Sequence, residues 1–509
     1  MATMTLGQVY KILKENKLLK EIVTADAWRH HLTPEEENIS FDHISSDSRQ
    51  VGENTLFVCK GMNFSSEFLD QAVKSGVRFY VTDRLPEVKK EACALVVTNS
   101  RKALAFLSFA MYDHPDSKLT VMAIGGTKGK TTTAYFLKNI MDRVNGGKTA
   151  LLSTMETTLD GKNYQKSLLT TPESIDLAQM LAECVKNGMT HVVMETSSQA
   201  FKMDRVAAMR FSIASFLNIS PDHIGENEHV DFEDYFYCKR QMFPLSDFLF
   251  LNGASDYVDF IKEELDDAGN AYALLGKDEE LAYHWKEIDD REGLLSFSFK
   301  GQGMDEAADF SIKMPGKFNL QNAAIAASMA LKAGASVKAI REGLLATHVP
   351  GRMEVVERSA GYPIIVDYAH NRLSCEALCA DLRERYPKAH LTLVIGAPGK
   401  RGLSRRKDFG IIIKAYMDSA ILTAEDPADT DPVDIAKEIQ SYCSDVPTKI
   451  IVDREEAIRQ AIEGADENTL VILAGKGRDN YQEIGSERLA YKGDLAIAQE
   501  IVAALEKKK

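Results

Sequence analysis

The chain has 509 residues, of which 45% are hydrophobic and 27% are charged. These fractions are typical of soluble globular proteins and exclude a disordered chain, a collagen-like chain and a disulfide-stabilised miniprotein. Since domains usually hold about 100 to 200 residues, the length predicts about three domains. The 75 acidic against 61 basic residues give a net charge of -14, so we expect no nucleic-acid partner.

Cysteine usage and hydropathy indicate the compartment. The seven cysteines are scattered and include no C-x-x-C pair, which favours reduced thiols over a disulfide framework or a zinc site. The N-terminal segment is charged throughout, and no apolar run approaches the ~18 residues of a membrane span. We therefore expect a cytoplasmic protein without membrane insertion. We also expect a monomer.

Short β-branched or aromatic runs alternate with longer helical patterns, which indicates parallel sheets covered by helices. A first set of buried strands is predicted at residues 119–124, 191–196, 213–218 and 248–252. A second set is predicted at residues 364–369, 391–397, 419–424, 448–452 and 469–474. A more polar stretch, roughly 265–310, is expected to add antiparallel strands to the first sheet.

Two turn-rich segments, 112–118 and 348–355, are candidate linkers. They predict an α/β fold of three domains: an N-terminal α/β domain, a central P-loop ATPase-like domain with a parallel sheet, and a C-terminal Rossmann-like domain. The predicted bounds are 1–117, 118–350 and 351–509.

The strongest motif is MAIGGTKGKTTTAYFLKNI, in which a predicted strand runs into glycines and then an amphipathic helix. Glycines let backbone N–H groups approach phosphate oxygens, and the helix N-terminus adds partial positive charge. Lys130 would neutralise the β- and γ-phosphates, and the Thr131 hydroxyl is a ligand for Mg²⁺. The strict consensus requires glycine where this chain has Ile124. The strand-to-helix context nevertheless predicts a phosphate-binding loop, with a plain glycine-rich turn as the alternative.

Two polar segments, VVMETSSQ and LNISPDHIGENEH, each follow a predicted strand. Ligands of open α/β sheets bind at the carboxyl ends of the strands. Glu195 is a hard oxygen donor suited to Mg²⁺. His223 lies in an acid-rich loop, where it is either a metal ligand or a solvated surface histidine.

Nine segments resemble, in order and spacing, the motifs of the Mur ligases of peptidoglycan synthesis: GTKGKTTT, TTPES, ETSSQ, NISPDHIG, YFYCKRQMF, GKFNLQNAAIA, VPGRME, VDYAHN and AGKGRDNYQ. The resemblance covers nearly the whole chain. With SDSRQV near the N-terminus, it is closest to those members that add an amino acid to UDP-N-acetylmuramoyl-L-alanyl-D-glutamate. It implies ATP and Mg²⁺ as cofactors and assigns UDP-sugar binding, ATP binding and acceptor binding to the three domains in chain order.

The resemblance also implies residue roles. Lys239 matches a lysine that is carbamylated in the family and bridges magnesium, whereas without the family it would be interpreted as a surface lysine. The implied catalytic residues are Lys130, Glu195, His223 and Lys239, and the implied metal ligands are Thr131, Glu195, His223 and Lys239. The implied ATP-binding residues are Gly126, Thr127, Lys128, Gly129, Lys130, Thr131, Thr132, Asn322, Arg352 and Asp367. The implied UDP-substrate-binding residues are Ser48, Thr170, Thr171, Ser197 and Arg205.

Acceptor choice is expected to lie in the third domain. Members that add meso-diaminopimelate carry Asp-Asn-Pro-Arg, whose arginine holds the second carboxylate, and Ala428 stands at the arginine position here. A methyl group binds no carboxylate, while neighbouring acids favour an ammonium group, so L-lysine is the expected acceptor. L-Ornithine and meso-diaminopimelate remain alternatives. The implied acceptor-binding residues are Arg401, Glu425, Asp426, Gly475 and Asp479.

These features predict an ATP-dependent ligase that joins L-lysine to the UDP-muramoyl dipeptide through an acyl phosphate, with these small molecules as its partners. One rival is a folylpolyglutamate-synthase-like ligase, which the SDSRQV and TTPES segments disfavour. The other is a nucleotide-binding interaction subunit without activity. Its hallmark would be loss of the metal set, and all four of those residue types are present.

Overall fold

A computed structural model describes residues 3–61, 64–84, 91–225, 228–291, 294–400 and 402–507. Over these residues the strands form three large sheets and two short two-stranded pairs. Each of the three predicted domains contains one large sheet, which confirms the α/β class and the three-part architecture. The domain boundaries themselves stay predictions. In the described part of the chain, no helix combines the length and apolar character that crossing a bilayer requires.

The N-terminal part of the chain forms a mixed six-stranded sheet covered by helices. The strands of this part are β1 (Met4–Thr5), β2 (Leu19–Val23), β3 (Trp28–Arg29), β4 (Ser40–Phe41), β5 (His43–Ser45), β6 (Thr55–Cys59), β7 (Phe79–Thr82) and β8 (Cys93–Val97). Of these, β1 and β4 form a separate antiparallel pair. Its helices are α1 (Leu6–Glu15), α2 (Pro34–Glu37), α3 (Ser66–Lys74) and α4 (Ser100–Met111). The sheet order is β3-β2-β8-β7-β6-β5, and the neighbours from β5 to β8 run parallel.

The central part contains the largest sheet. Its strands are β9 (Thr120–Gly125), β10 (Thr149–Leu152), β11 (Glu156–Thr158), β12 (Gln165–Lys166), β13 (His191–Glu195), β14 (Ile213–Phe216), β15 (Leu249–Asn252), β16 (Tyr272–Gly276), β17 (Tyr283–Arg291), β18 (Leu294–Lys300) and β19 (Ala308–Ile312). Its helices are α5 (Lys130–Asn145), α6 (Ser174–Lys186), α7 (Ser198–Lys202), α8 (Phe232–Arg240), α9 (Val258–Ala268), α10 (Phe318–Lys332) and α11 (Val337–Ala346). The expected antiparallel additions are β17, β18 and β19, which pair antiparallel with one another.

The C-terminal part repeats the same architecture on a smaller scale. Its strands are β20 (Glu354–Val356), β21 (Ile364–Asp367), β22 (His390–Ile395), β23 (Ser419–Leu422), β24 (Thr448–Ile450), β25 (Thr469–Ala474), β26 (Tyr481–Ile484) and β27 (Glu487–Ala490). Its helices are α12 (Arg372–Arg385), α13 (Ser404–Tyr416), α14 (Pro432–Ser441), α15 (Arg454–Glu463) and α16 (Asp494–Glu506). The order β20-β21-β25-β22-β23-β24 is parallel apart from the antiparallel edge strand β20.

Strand order in the central sheet positions the site. β9 lies between β13 and β14 and is parallel to both, with Ile124 in register with Glu195 and Ser215. Both faces of β9 are buried, since Met122 and Ile124 pack in one apolar core and Val121 and Ala123 in another. The segments that follow these three strands therefore meet at one edge of the sheet, as expected for ligand-binding α/β folds.

Candidate functional site

The loop between β9 and α5 depends on two glycines. Gly126 has φ +133° and Gly129 has φ +85°, which are conformations that L side chains rarely adopt. A Cβ at Gly126 would lie 2.9 Å from the Leu217 Cβ, and a Cβ at Gly129 would lie 2.4 Å from the Asn322 Oδ1. At these two positions the loop therefore passes too close to its neighbours for a residue with a side chain, and α5 starts directly after it.

The loop is fixed from below by Asn218, which follows β14. The Asn218 Oδ1 accepts hydrogen bonds from the backbone N–H groups of Thr127 at 3.1 Å and Lys128 at 2.8 Å. The Thr127 hydroxyl lies 3.0 Å from the hydroxyl of buried Tyr235. Two loop amides are thus held by a side chain 90 residues further along the chain.

Three lysines lie at or under the loop. The Lys130 Nζ donates to the carbonyls of Gly126 and Thr127, both at 3.0 Å. The Lys239 Nζ, on α8, donates to the same Gly126 carbonyl at 2.7 Å, and Lys239 is only 3% exposed. Burial holds the pKa of Lys239 well below its usual value, and the neighbouring Lys130 lowers it further. The Lys128 Nζ pairs with the Asp222 carboxylate at 2.8 Å, and burial lowers the pKa of Lys128 to about 8.

The loop opens into a cavity of about 550 Å³ between the central and C-terminal parts of the chain. Polar groups line much of it, and its C-terminal wall includes His370 and Leu373. Most residues predicted for ATP and metal binding line this one cavity: Thr127, Lys128, Gly129, Lys130, Thr131, Thr132, Glu195, His223, Asn322, Arg352 and Asp367. Gly126 and Lys239 lie directly behind it, joined by their hydrogen bond.

The oxygen donors at the end of β13 suit a hard dication. Glu195 is 1% exposed, and its carboxylate accepts hydrogen bonds from the Thr154 N–H at 2.8 Å and the Thr154 hydroxyl at 3.0 Å. Carboxylate and hydroxyl oxygens of this kind are the ligands that Mg²⁺ prefers. The hydroxyl oxygen of Thr131 and the carboxylate oxygens of Glu195 therefore suit a magnesium ion in the cavity.

His223 is oriented differently from the other predicted metal ligands. It lines the cavity, but it is exposed, has φ +55°, and its Nδ1 lies 2.9 Å from the Glu228 carboxylate. Its Nε2 is 4.0 Å from the Asp222 carboxylate. Its role as a metal ligand stays a prediction.

The far end of the cavity is lined by the start of α10 and the segment after β15. The Asn322 Nδ2 donates to the Asn319 Oδ1 at 3.1 Å, and the Gln321 Nε2 donates to the Asn252 Oδ1 at 2.5 Å. Partly exposed Phe318 offers an apolar ring at the same end. These carboxamides and the ring form a polar and flat surface suited to a nucleobase.

Two predicted ATP-binding residues, Arg352 and Asp367, come from the linker segment at 348–355 and from β21 of the C-terminal sheet, respectively. Both carboxylate oxygens of Asp367 accept backbone hydrogen bonds at 2.7 Å, from Met353 and from Ala369. Burial raises the pKa of Asp367. Arg352 lies over the ring of Tyr368, 5.4 Å from its centroid. Asp367 thus fixes the backbone on both sides of the Arg352 guanidinium.

Three of the predicted UDP-substrate residues, Thr171, Ser197 and Arg205, meet behind Glu195. The Thr171 hydroxyl donates to the Glu195 carbonyl at 3.0 Å and accepts from the Ser197 N–H at 3.0 Å. The Arg205 guanidinium donates to the Thr171 carbonyl and lies 2.7 Å from the Glu173 carboxylate, to which Lys60 of the N-terminal part is also paired. The remaining residues are Thr170, whose hydroxyl lies 3.1 Å from that of Thr154, and Ser48, which donates to Gln71.

The predicted acceptor-binding carboxylates differ in whether their oxygens have hydrogen-bond partners among the described residues. The Asp426 carboxylate accepts from the Lys476 Nζ at 2.9 Å and from the Glu483 N–H at 3.0 Å. Asp479 also faces Lys476, at 3.4 Å. Glu425 is buried, its Oε2 has no hydrogen-bond partner among the described residues, and burial raises its pKa to about 7. Gly475 is buried next to Glu425, and Arg401 lies outside the described residues.

Several site residues were missed by sequence reasoning. Asn218 and Thr154 hold the phosphate loop and Glu195, and His370 reaches the cavity from another domain. Asn218 was detectable, because it is the last residue of the strand predicted at residues 213–218. Thr154 and His370 had no comparable local signal. Among the described His, Cys, Asp and Glu side chains, the possible ligand atoms of His229, Asp234 and Cys238 lie within 4.8 Å of one another, close enough to share a metal ion.

Comparison with known proteins places these features in a family. The Mur ligase middle domain matches residues 124–330, and the Mur ligase glutamate ligase domain matches residues 351–477. The chain is 40% identical over 504 residues to the UDP-N-acetylmuramoyl-L-alanyl-D-glutamate--L-lysine ligase of Enterococcus faecalis, with 98% of this chain and 99% of that protein covered.

Solved structures share the fold at lower identity. A UDP-N-acetylmuramoyl-L-alanyl-D-glutamate--2,6-diaminopimelate ligase is 21% identical with a TM-score of 0.66, covering 99% of this chain and 100% of its own. The MurF ligase from Thermotoga maritima in complex with ADP is 18% identical with a TM-score of 0.58, covering 92% and 98%. At these identities the comparisons establish the shared fold.

Proposed function

Since this chain belongs to the Mur ligase family, we propose that it is the ATP-dependent amide ligase that adds L-lysine to UDP-N-acetylmuramoyl-L-alanyl-D-glutamate. The observation that carries the proposal is one cavity that brings together the phosphate loop, Glu195 and residues of the C-terminal domain. The L-lysine ligase similar to it over nearly its full length supports the choice of substrates, and the ADP complex of a related fold supports the nucleotide.

The proposed reaction has two steps. The γ-carboxylate oxygen of the D-glutamyl residue attacks the γ-phosphorus of ATP, and the bond from that phosphorus to the β,γ-bridging oxygen breaks. ADP departs, and the D-glutamyl residue now carries an acyl phosphate. The amine of L-lysine then attacks the acyl carbon, loses a proton and expels phosphate. The products are an amide, ADP and phosphate.

The cations around the cavity match the charge that moves in the first step. Lys130 and Lys128 belong to the phosphate loop, and Arg352 faces them from the hinge, so each lies where phosphate oxygens would bind. Preoriented cations in a site that excludes water stabilise a transferring phosphoryl group strongly. When bound by Thr131 and Glu195, Mg²⁺ would neutralise phosphate charge. Domain closure around the cavity would keep water from the acyl phosphate.

We propose that Lys239 is carbamylated in the active enzyme. The buried Lys239 ammonium lies behind Lys130, and no carboxylate among the described residues is hydrogen-bonded to it. Because burial and the neighbouring Lys130 destabilise its charge, the uncharged amine that captures carbon dioxide is favoured. A carbamate there would replace a cation by an anion close to the proposed metal ligands. Its negative charge would also attract the neighbouring Lys130 ammonium.

Charge in the C-terminal domain supports L-lysine as the acceptor. Glu425 carries a buried carboxyl oxygen without a partner among the described residues, and this is a suitable contact for an ammonium group. Asp426 and Asp479 are paired with Lys476, so Glu425 is the better candidate. Ala428, with φ +50°, offers only a methyl group where an arginine would hold a second carboxylate.

Product analysis tests the proposal. The protein is incubated with ATP, Mg²⁺ and UDP-muramoyl dipeptide together with L-lysine, L-ornithine and meso-diaminopimelate at equal concentration. Mass spectrometry then identifies the products. We expect mainly the lysine product. A separate reaction with ATP, Mg²⁺, a folate and L-glutamate tests the folylpolyglutamate-synthase-like rival. Addition of glutamate to the folate there would favour that rival, and no ATP-dependent product in either reaction would favour the interaction subunit.

We further propose that the enzyme acts as a monomer in the cytoplasm, where ATP and UDP-linked precursors are available. Light scattering of the purified protein and fractionation of the producing cells test these two points. A stable dimer or recovery with the membrane fraction would contradict them.

A further inference from the structure

A chain of polar contacts that the proposed reaction does not use lies beside the site. The His229 ring is fully buried, with its Nε2 2.9 Å from the Ser198 Oγ and its Nδ1 2.9 Å from the Asp234 carboxylate. The same Asp234 oxygen accepts from the Lys202 Nζ at 2.6 Å, and Lys202 also donates to the Glu228 carbonyl at 2.9 Å. Four side chains from three segments therefore form one continuous network.

The chemistry of the acceptors fixes the direction of each hydrogen bond. An ionised carboxylate only accepts, so the Nδ1 of His229 carries the proton that it donates to Asp234. The Nε2 of the neutral ring is then an acceptor, and the Ser198 hydroxyl donates to it. The order Ser198 to His229 to Asp234 resembles the hydrogen bonding of a nucleophilic serine.

Burial argues against nucleophilic or metal chemistry at this place. Ser198 is 3% exposed and, unlike Ser197, does not line the cavity, so no substrate reaches its hydroxyl. His229, Asp234 and Cys238 are close enough to share a metal ion. However, the Lys202 ammonium already neutralises Asp234, and its positive charge would repel a metal ion. The network is therefore better suited to holding structure in place.

The network joins the three segments that carry proposed site residues. Ser198 begins α7 directly after Ser197, His229 precedes α8 and follows His223 in the chain, and Asp234 lies on α8 five residues before Lys239. The His229 ring also packs edge-to-face on Tyr235 at 5.2 Å, and the Tyr235 hydroxyl reaches the Thr127 side chain of the phosphate loop. A single imidazole thus contacts structural elements on the UDP-substrate side and on the ATP side.

We propose that His229 is a positioning residue that fixes α7, the loop at 218–225 and α8 in one arrangement, and so aligns the UDP-substrate and ATP sides of the site. Residues that hold the groups binding substrate and metal typically contribute 10- to 100-fold to activity without touching the reactants. The inference rests on the proposed ligase function for its kinetic readout but not for its structural one.

The test uses conservative variants of the full-length protein. Ser198→Ala removes one buried hydroxyl and no packing volume beyond it. His229→Asn places an amide N–H near the position of Nδ1 and keeps the bond to Asp234, but loses Ser198. We expect each variant to lower kcat about tenfold and the double variant to lose no more, because both remove the same contact. His229→Gln, whose longer amide reaches Ser198, should recover part of the loss. Ser328→Ala, which removes a buried hydroxyl inside α10, is the matched control and should retain wild-type kcat.

Hydrogen exchange separates this inference from the proposed function. We expect amide exchange in residues 218–225 to be faster in Ser198→Ala than in the wild type and unchanged in Ser328→Ala. Absence of ligase turnover in the wild type would refute the proposed function, while exchange would still report on the network. Wild-type exchange in Ser198→Ala, or additive losses of kcat in the double variant, would overturn the positioning role.

Discussion

The ammonium groups of Lys130 and Lys239 converge on one acceptor, the carbonyl oxygen of Gly126, at 3.0 and 2.7 Å. Two cations on a single carbonyl repel each other, and burial adds to the cost of the inner charge. Converting Lys239 to a carbamate would turn this repulsion into attraction. The finding links the phosphate loop to α8 and motivates the first prediction.

Lys239→Ala should abolish ligase turnover, because it removes the anion that the carbamate supplies. Acetate or another short carboxylic acid in solution should restore part of the activity by occupying the space left by the side chain. Lys239→Arg should stay inactive with and without the acid, because guanidinium keeps its charge and forms no carbamate. Product formation with and without added acid provides the measurement.

Carbon-13 NMR after incubation with labelled bicarbonate checks the modification directly. A carbamate carbon signal is expected in the wild type and not in Lys239→Ala. An arginine variant at the wild-type rate, or a bare amine in high-resolution density of the nucleotide-bound enzyme, would refute the carbamate.

Lys130→Ala should lower kcat by at least about 100-fold, since one cation directed at transferring phosphate is lost. Lys130 is not freely exposed, and its ammonium satisfies the carbonyls of Gly126 and Thr127. Circular dichroism should still report a folded protein, because water can reach the vacated position from the cavity. Lys148→Ala, at an exposed lysine of the same domain, is the control. Turnover above a tenth of wild type would contradict the assignment.

Glu425→Gln should change the pH dependence of stability. Burial, and then the charge of Asp426, raise the pKa of Glu425 to about 7 from an ordinary value of 4.5. Between these values the unfolded chain has released a proton that the folded protein retains, so this group makes the fold less stable as pH rises. The variant does not titrate and should gain stability relative to the wild type from pH 5 to pH 8, by on the order of 3 kcal/mol at most.

Thermal unfolding of both proteins across this pH range measures the difference. Glu487→Gln, at an exposed glutamate of the same domain, should show a constant difference from the wild type. A constant difference for Glu425→Gln as well would mean that Glu425 is ionised in the fold throughout the range.

Ala428→Arg should raise the proportion of the diaminopimelate product relative to the lysine product about tenfold, since a charge-assisted hydrogen bond to a second carboxylate is worth about 1.5 kcal/mol or more. The competition assay with weighed products measures this ratio. Ala428→Met, which adds length without charge, should leave the preference for lysine unchanged. An equal shift in both variants would attribute the effect to pocket size rather than charge.

Local pattern by itself determined the strands and the phosphate loop. Each of the predicted buried strands corresponds to a strand of the structure. Short continuous β-branched runs bounded by turns seldom form other secondary structure in a soluble chain. The loop from Gly126 to Thr131 was also predictable, since the need for glycines between a strand and a helix is local. Glu195 was predictable from its position at the carboxyl end of a strand.

Tertiary structure decided which charged groups are free to act. Sequence treated Glu425 and Asp426 as equivalent acids, whereas Lys476, 50 residues further along the chain, neutralises Asp426 and leaves a Glu425 oxygen unpaired among the described residues. From the sequence, Arg205 was likewise predicted to bind the UDP-substrate, whereas in the structure its guanidinium is paired with the Glu173 carboxylate. The link from Ser198 through His229 to Asp234 had no signal in the sequence. Such partners are set by how distant segments pack, and the energy of a charge depends on those neighbours and on burial rather than on the residue type.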